Sequence, residues 1–528
     1  MSRSRGPWVG PLLGVVGGVM QALSMGLPHH LGPSGALQWC AMLVLATGVI
    51  QSLGSIKRVA GFAFVFQCTA LLATVWWLFI ALHVYGEMPI VLSVFGLAVL
   101  CGGLALYWAG FAALYAFLVN GGKEKVTQSA WTRTFLLALG FGASWTLSEL
   151  ARGVWFTGFP WGSSGYAHTD TWLGQLAAWG GVYTLGWVSA SLAMGCVLLA
   201  THTRKGHKAL AGVLALAMLL SLLGWPVTRT DQPTPRPIPE RGLSVSLLQG
   251  NVPQDSQLIH AREDGGVWYR DQIARSSSDL VITPETAFAK PPQAYAGQFF
   301  PSLVTLLLAQ HRMALIGMPL LDGQGYTNSA VGVGESARDV YRYDKSHLVP
   351  FGEFVPPMFK WFTDQLSNPL GFFRHGDTLE ASWSVMGERI APNICYEDLF
   401  GEELAKRFVQ ENTAPTLLVN MSNIAWFGDT VVIDQHIQIA RMRTLELHRP
   451  MLRSTNAGAT MVIDENARVL ASLPSFTQGI LTTRVSGVHE GVTFFAWWAG
   501  RFGLWPVWLG ALGALLLLAW RGHTRPSR

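Results

Sequence analysis

Charge is scarce in this chain: only 13% of its 528 residues are Asp, Glu, Lys or Arg, whereas 50% are hydrophobic. That balance excludes an ordinary soluble enzyme of this length and points to a membrane protein. Cysteine is scarcer still, with five in all. Cys40, Cys68, Cys101 and Cys196 fall inside apolar runs, where cysteine usually serves as a small packing residue. The chain has no Cys-x-x-Cys, His-Glu-x-x-His, Walker loop or Gly-x-Ser-x-Gly, so a zinc site, a nucleotide cradle and a serine elbow each lack their residues. Gly334-Glu335-Ser336-Ala337-Arg338 comes nearest to the last and misses its final glycine. The 14 histidines are scattered, and His29, His30 and His168 read as loop or interface residues rather than ligands. No metal and no cofactor is expected.

Long apolar runs take the place of charge. Seven of them, near 8–27, 36–54, 61–85, 89–119, 134–151, 175–200 and 209–227, are long enough to cross a hydrocarbon core of roughly 30 Å, and an eighth lies near 502–520. Residues 1–227 therefore read as a transmembrane domain of seven helices, 228–493 as a polar domain, and 494–528 as a last transmembrane helix with its tail. Further spans follow the first run at once, without a clear cleavage site, so it reads as a retained anchor. Thirteen Lys and Arg, at positions 3, 5, 57, 58, 123, 125, 133, 204, 205, 208, 521, 525 and 528, collect on one side of the spans. The opposite short loops offer little beyond Arg152 and Arg501. Because basic loops resist export, both termini are expected in the cytoplasm and residues 228–493 outside it. The polar stretch holds 22 Lys plus Arg against 28 Asp plus Glu, and the remainder 15 against 4. The basic overall balance thus follows from membrane topology, and a nucleic-acid role is set aside.

Thr228 to Arg241 is rich in proline and reads as a stiff linker. Beyond it, short apolar or β-branched runs alternate with amphipathic ones. Leu243–Leu248, Leu280–Thr283, Ala314–Met318, Asn328–Val333, Ile390–Cys395, Thr416–Asn420 and Met451–Ser454 read as strands, and Ala261–Ser276, Gly297–Gln310 and Asp434–Leu447 as helices. Such mixing implies a layered α/β domain with strands beneath helices. Its single cysteine, Cys395, ends a strand in Asn393-Ile394-Cys395-Tyr396-Glu397-Asp398. Thr283-Pro284-Glu285 and Tyr343-Asp344-Lys345 close two other runs. A thiol with a pKa of about 8.5 is mostly protonated at neutral pH and needs a base or a cation beside it. Glu285 would take its proton, and Lys345 would stabilise the thiolate and a tetrahedral oxyanion. A core cysteine with two structural ion-pair residues satisfies the same spacing, because no motif rule links positions so far apart.

Longer motifs carry a resemblance. Gln249-Gly250-Asn251-Val252-Pro253-Gln254, Thr283-Pro284-Glu285, Asp344-Lys345 with Leu348-Val349-Pro350-Phe351-Gly352-Glu353, Asn393-x-x-Cys395-Tyr396-Glu397, Asn420-Met421-Ser422-Asn423 to Gly428-Asp429, Arg441-Met442-Arg443 and Ser454-Thr455-Asn456 follow in order. Together with the membrane half they resemble the nitrilase, or carbon–nitrogen hydrolase, superfamily and its exported, membrane-anchored branch, the apolipoprotein N-acyltransferases. The resemblance implies a bundle of eight transmembrane helices with an exported nitrilase-like α-β-β-α sandwich, held in a bacterial inner membrane with the catalytic domain in the periplasm. It implies that Cys395 takes an acyl chain from a phospholipid, usually phosphatidylethanolamine, as a thioester. The α-amine of an apolipoprotein's diacylglyceryl-cysteine then receives the chain. Glu285, Lys345 and Cys395 would be catalytic, Glu353 a second carboxylate near the lysine, and Tyr396 and Glu397 would shape the pocket.

A hydrolase of small soluble amides has no use for eight spans, whereas acyl chains gain roughly 0.8 kcal/mol per buried CH₂ and rarely leave the bilayer. The loop from Arg152 to Gly162 is the other informative stretch, with Trp155, Phe156, Phe159 and Trp161 at the level where aromatic rings favour headgroups. It reads as an interfacial belt, and the resemblance implies that this loop and Glu149 face the polar domain and help form a path for lipid. Asp255-Ser256-Gln257-Leu258-Ile259 stands where relatives are expected to place a Lys-aromatic pair. Two other readings stay open. One is a membrane-tethered amidase that resolves the thioester with water. The other is a transporter or sensor, disfavoured because the membrane part has only Glu87, Glu124, Glu149 and Asp170 as carboxylates.

Overall fold

The structure, a computed structural model, describes residues 9–26, 32–121, 130–202, 242–254, 259–295, 299–334, 340–355, 373–377 and 381–523. The apolar run at 209–227, the linker at 228–241, His29 and His30, residues 255–258 and most of the basic residues used for orientation lie outside them. The chain divides into two compact units, Met1–Phe79 with Pro89–Thr228 and Leu504–Arg528, and Ile80–Met88 with Arg229–Gly503.

The first unit is helical, with α1 at Val9–Leu23, α2 at Gly35–Ser52, α3 at Ile56–Val75, α4 at Ile90–Gly121, α5 at Ala130–Val154 and α6 at Ala177–His202. Ser34 and Ser55 cap α2 and α3 by accepting the amides of Leu37 and Arg58, satisfying donors that a helix start leaves open. An edge-to-face aromatic column fills the interior. Trp108 lies 5.0 Å from Trp145 and 5.7 Å from Phe141. His168 is buried against Gln38, with Nε2 3.0 Å from Oε1, which accounts for it without a metal.

Of the eight spans expected, the described residues contain five helices long and apolar enough to cross a membrane, or six if Phe494–Phe502 and Trp505–Trp520 count as one. The apolar run at 61–85 is not one helix. It breaks after Val75, and Ile80–Met88, which includes the π-turn Ala81–Tyr85, packs with the second unit, where Tyr85 meets Trp426 at 5.5 Å. Continuous hydrophobicity reports burial, not helical continuity, so the break leaves no mark on the pattern.

The second unit holds two six-stranded sheets. In chain order the strands are β1 Leu243–Gln249, β2 Leu280–Ile282, β3 Met313–Asp322, β4 Gly325–Val333, β5 Tyr341–Asp344, β6 Trp383–Val385, β7 Glu388–Ile394, β8 Leu417–Ser422, β9 Met451–Thr455, β10 Met461–Ile463, β11 Val469–Ser472 and β12 Gly479–Val485. One sheet runs β12-β1-β2-β3-β4-β5 and the other β11-β10-β9-β8-β7-β6. The central strands are parallel, β1 to β2 to β3 and β7 to β8 to β9, so their carboxyl ends gather on one edge. The period of two sorts the side chains by layer. Leu280, Ile282 and Leu315 face a core shared with Ile390, Leu417 and Leu452 of the other sheet. Val281, Ala314 and Ile316 turn the other way, onto α7 (Ile259–Arg275) and α8 (Phe299–Ala309). Helix α9 (Val432–Leu447) reaches the second sheet through His436, beside Arg453 of β9. Helix α10 (Phe494–Phe502) ends the unit, and α11 (Trp505–His523) follows in the first.

Candidate active site

Strand ends build the site. Glu285 follows β2, Lys345 follows β5, and Cys395 follows β7 as the first residue of a 3₁₀ turn, Cys395–Leu399. The turn after β2 needs Gly317 on the neighbouring strand: a Cβ there would strike the Pro284 carbonyl, and the Gly317 amide donates to Thr283 Oγ1 at 2.9 Å. Any larger residue would displace Glu285.

Lys345 Nζ is 1% exposed and lies 3.0 Å from Glu285 Oε1 and 2.9 Å from Glu353 Oε2. Asn328 Nδ2, from β4, donates to the same two carboxylates at 2.8 and 2.7 Å. The Asn423 amide donates to Glu285 Oε2 at 2.9 Å. Val349 N donates to Glu353 Oε2 at 2.8 Å. Glu285, Lys345, Glu353 and Cys395 are therefore brought together, with Asn328 and Asn423 added by the structure.

The electrostatics follow from this crowding. Burial pushes the Cys395 thiol above its ordinary range, Glu285 and Glu353 push it the same way, and Lys345 only partly offsets them. Burial would lower the lysine, but the Glu285 and Glu353 carboxylates hold it above the usual range and therefore cationic. The resting pair is thus an ammonium and a neutral thiol.

Cys395 sits at φ 55°, a left-handed conformation that costs a non-glycine residue about 1–2 kcal/mol. Two neighbours hold it. Glu397 accepts the Ile394 amide at 2.6 Å, and Asn420 Nδ2 donates to the Cys395 carbonyl at 3.4 Å. Glu397 also accepts from Tyr343 Oη at 2.8 Å and from the amide and hydroxyl of Ser346, both at 2.7 Å. It ties the lysine's loop to the cysteine's turn, so its carboxylate is occupied by structure. Tyr396 is buried between His347 and Phe400, at 5.7 and 5.4 Å between rings.

Beneath the turn lies a charge cluster that no motif disclosed. Arg453 Nη1 meets Asp398 Oδ2 at 2.7 Å, both fully buried, and Arg453 Nη2 lies 3.2 Å from His436 Nδ1. Burial and the Arg453 cation keep His436 well below the usual imidazole range, so the ring is neutral. Removing one partner of such a pair strands the other charge. Asp398→Asn is expected to lower unfolding free energy by about 3–5 kcal/mol. A wild-type thermal midpoint for the purified variant would contradict the assignment.

The residues expected along a lipid path belong to the first unit. Glu149 and Arg152 are buried there and hold the loop closed. Glu149 accepts the Ser164 amide at 2.6 Å, and Arg152 donates to the carbonyls of Phe159, at 2.8 Å, and of Trp161. Trp161 is buried on Trp77, whereas Trp155 and Phe156 are exposed, Phe156 at φ 53°. Phe159 is half-buried. Among the described residues no group of His, Cys, Asp and Glu is arranged to hold a metal.

Comparison with known proteins adds an independent line. Residues 246–489 match the Carbon-nitrogen hydrolase family, and residues 18–195 match the Apolipoprotein N-acyltransferase N-terminal domain. A protein of Verminephrobacter eiseniae named apolipoprotein N-acyltransferase is 42% identical over 520 residues, covering 94% of this chain and 93% of its own. One of the same name from Ralstonia nicotianae is 40% identical over 505 residues, covering 94% and 92%. Another, from Bordetella bronchiseptica, is 33% identical and covers 99% of both chains.

Proposed function

Because the chain belongs to the apolipoprotein N-acyltransferase family, we propose that it N-acylates lipoproteins through an acyl thioester on Cys395. The observation that carries this reading is a lone thiol set among the charges of a buried Glu285–Lys345–Glu353 cluster. In the first half-reaction the sulfur attacks a phospholipid ester carbonyl and the thiol proton passes to Glu285. Lys345 faces the oxyanion. The C–O bond then breaks, and the lysophospholipid oxygen takes the proton back from Glu285. In the second half the lipoprotein α-amine attacks the thioester and gives its proton to Glu285. The C–S bond breaks, and the proton returns to Cys395. Glu353 keeps the lysine in place and cationic throughout.

Phosphatidylethanolamine is the expected donor and a diacylated apolipoprotein the acceptor. Exposed Trp155 and Phe156 suit the lipid path, with Glu149, Arg152, Phe159 and Trp161 shaping the loop that presents them. Incubating the full chain with phosphatidylethanolamine alone should give an intact-mass increase of one acyl group on Cys395 that hydroxylamine removes. Free fatty acid as the sole product, with an amine acceptor present, would instead assign hydrolysis.

The basic loops support cytoplasmic termini and a periplasmic catalytic unit in the inner membrane. A reporter joined after residue 228 is expected to be active only when exported. Cytoplasmic reporter activity at that junction would reverse the orientation.

A further inference from the structure

Helix α10 has two faces. Phe495, Ala496, Trp498 and Ala499 are buried, whereas Phe494, Trp497 and Phe502 are 53%, 44% and 52% exposed. The outer rings form one cluster. Phe494 stacks on Trp497 at 5.7 Å, Trp497 meets Phe502 at 6.2 Å, and the Arg501 guanidinium sits 5.2 Å from the Trp497 ring. Large aromatic rings with a cation over them, on the outward side of an amphipathic helix, are what the phospholipid headgroup layer selects. The guanidinium lies over the ring and donates from Nη1 to Trp497 O at 2.8 Å and from Nη2 to Val409 O at 2.7 Å, and its remaining N–H groups are free to meet phosphate.

The chain itself says what covers this face. Only Gly503 and Leu504 separate α10 from the apolar α11, and the two together are long and apolar enough to cross a membrane. Nine residues at 1.5 Å each reach about 13 Å, so no part of α10 can stand far from the lipid surface where α11 begins.

The inner face is fastened to the segment that starts at Cys395. A Cβ on Gly500 would strike the Ala405 carbonyl, so α10 lies against the backbone of the short helix Gly401–Ala405 that follows the 3₁₀ turn. Arg501 Nη2 donates to Val409 O at 2.7 Å, and Thr493 caps α10 while donating to Glu446 O at 2.6 Å.

We propose that the Phe494, Trp497, Arg501 and Phe502 face of α10 rests in the headgroup layer of the phospholipid bilayer and holds the Cys395 segment at the lipid surface. The full chain in phosphatidylethanolamine-rich nanodiscs, exposed to phospholipids carrying a diazirine either near the headgroup or at the chain terminus, tests the placement. The headgroup probe should label 494–502, and the chain-terminal probe should label 505–520 and spare α10. No label on 494–502 from the headgroup probe, or equal labelling of α10 by both, overturns the proposal.

Kinetics test the consequence separately. In Trp497→Gln/Phe502→Gln, the apparent KM for vesicle phospholipid is expected to rise roughly tenfold, about 1.4 kcal/mol, with kcat within about twofold. Acylation of Cys395 by a water-soluble short-chain ester should stay unchanged, and Trp497→Tyr should restore much of the KM. Equal losses with both donors would reveal a merely structural helix, and no change with vesicles would remove the lipid role. Loss of the Cys395 acyl adduct in the wild-type chain is a distinct result that bears on the chemistry alone.

Discussion

Cys395→Ser is expected to abolish acyl transfer, with turnover falling by more than about 10⁴-fold. The substitution is nearly isosteric, and the contacts that hold the turn run to the backbone of residue 395 and to Glu397, not to the sulfur. Thermal stability should therefore stay near that of the parent protein. What changes is acidity. The environment already pushes the thiol upward through burial and two carboxylates. An alcohol starts several units higher, and a carboxylate base such as the proposed Glu285 does not activate it on a useful timescale. The hydroxylamine-labile adduct should disappear with turnover. Undiminished transfer by purified Cys395→Ser would end the thioester account.

Glu285→Gln separates the proposed base from the field it creates. Removing a positioned proton acceptor usually slows the step by about 10²–10⁴-fold, and thioester formation should slow by that amount. The same change deletes a negative charge that raises the thiol pKa, so the pH profile of Cys395 alkylation should shift downward. The variant should be more readily alkylated at neutral pH and far slower to acylate. If only a field were lost, both rates would rise together. A normal acylation burst would transfer the base role to another group, with Glu353 the next candidate because it shares Lys345 and Asn328 with Glu285.

The sequence expectations located strands according to burial. All seven expected strands correspond to observed ones, and β1, β2, β7, β8 and β9 are almost wholly enclosed, which writes a continuous apolar run. β5 is legible only as the run that Lys345 closes. The strands that went unread are β6, β10, β11 and β12, and three of them are edges of the two sheets, where a strand is half-solvated or short. In the site, the residues Glu285, Lys345, Glu353 and Cys395 could be named because motifs flank them. Asn328 and Asn423 gave a weaker signal, a polar side chain at the end of a buried run, and Asp398–Arg453 gave none, since each position taken alone suits a surface residue. The break after Val75 and the return of Ile80–Met88 to the second unit follow from packing between distant segments, which hydropathy does not register.

Two acidic side chains and one ammonium surround the Cys395 sulfur, so the idle enzyme keeps its proton there. Oxidants and electrophiles attack the ionised form, and a sulfur that ionises only as an ester carbonyl arrives offers them little target. With no second cysteine in the same unit to rescue it by exchange, this restraint would let one unguarded atom survive in the oxidising compartment that the proposed orientation gives it.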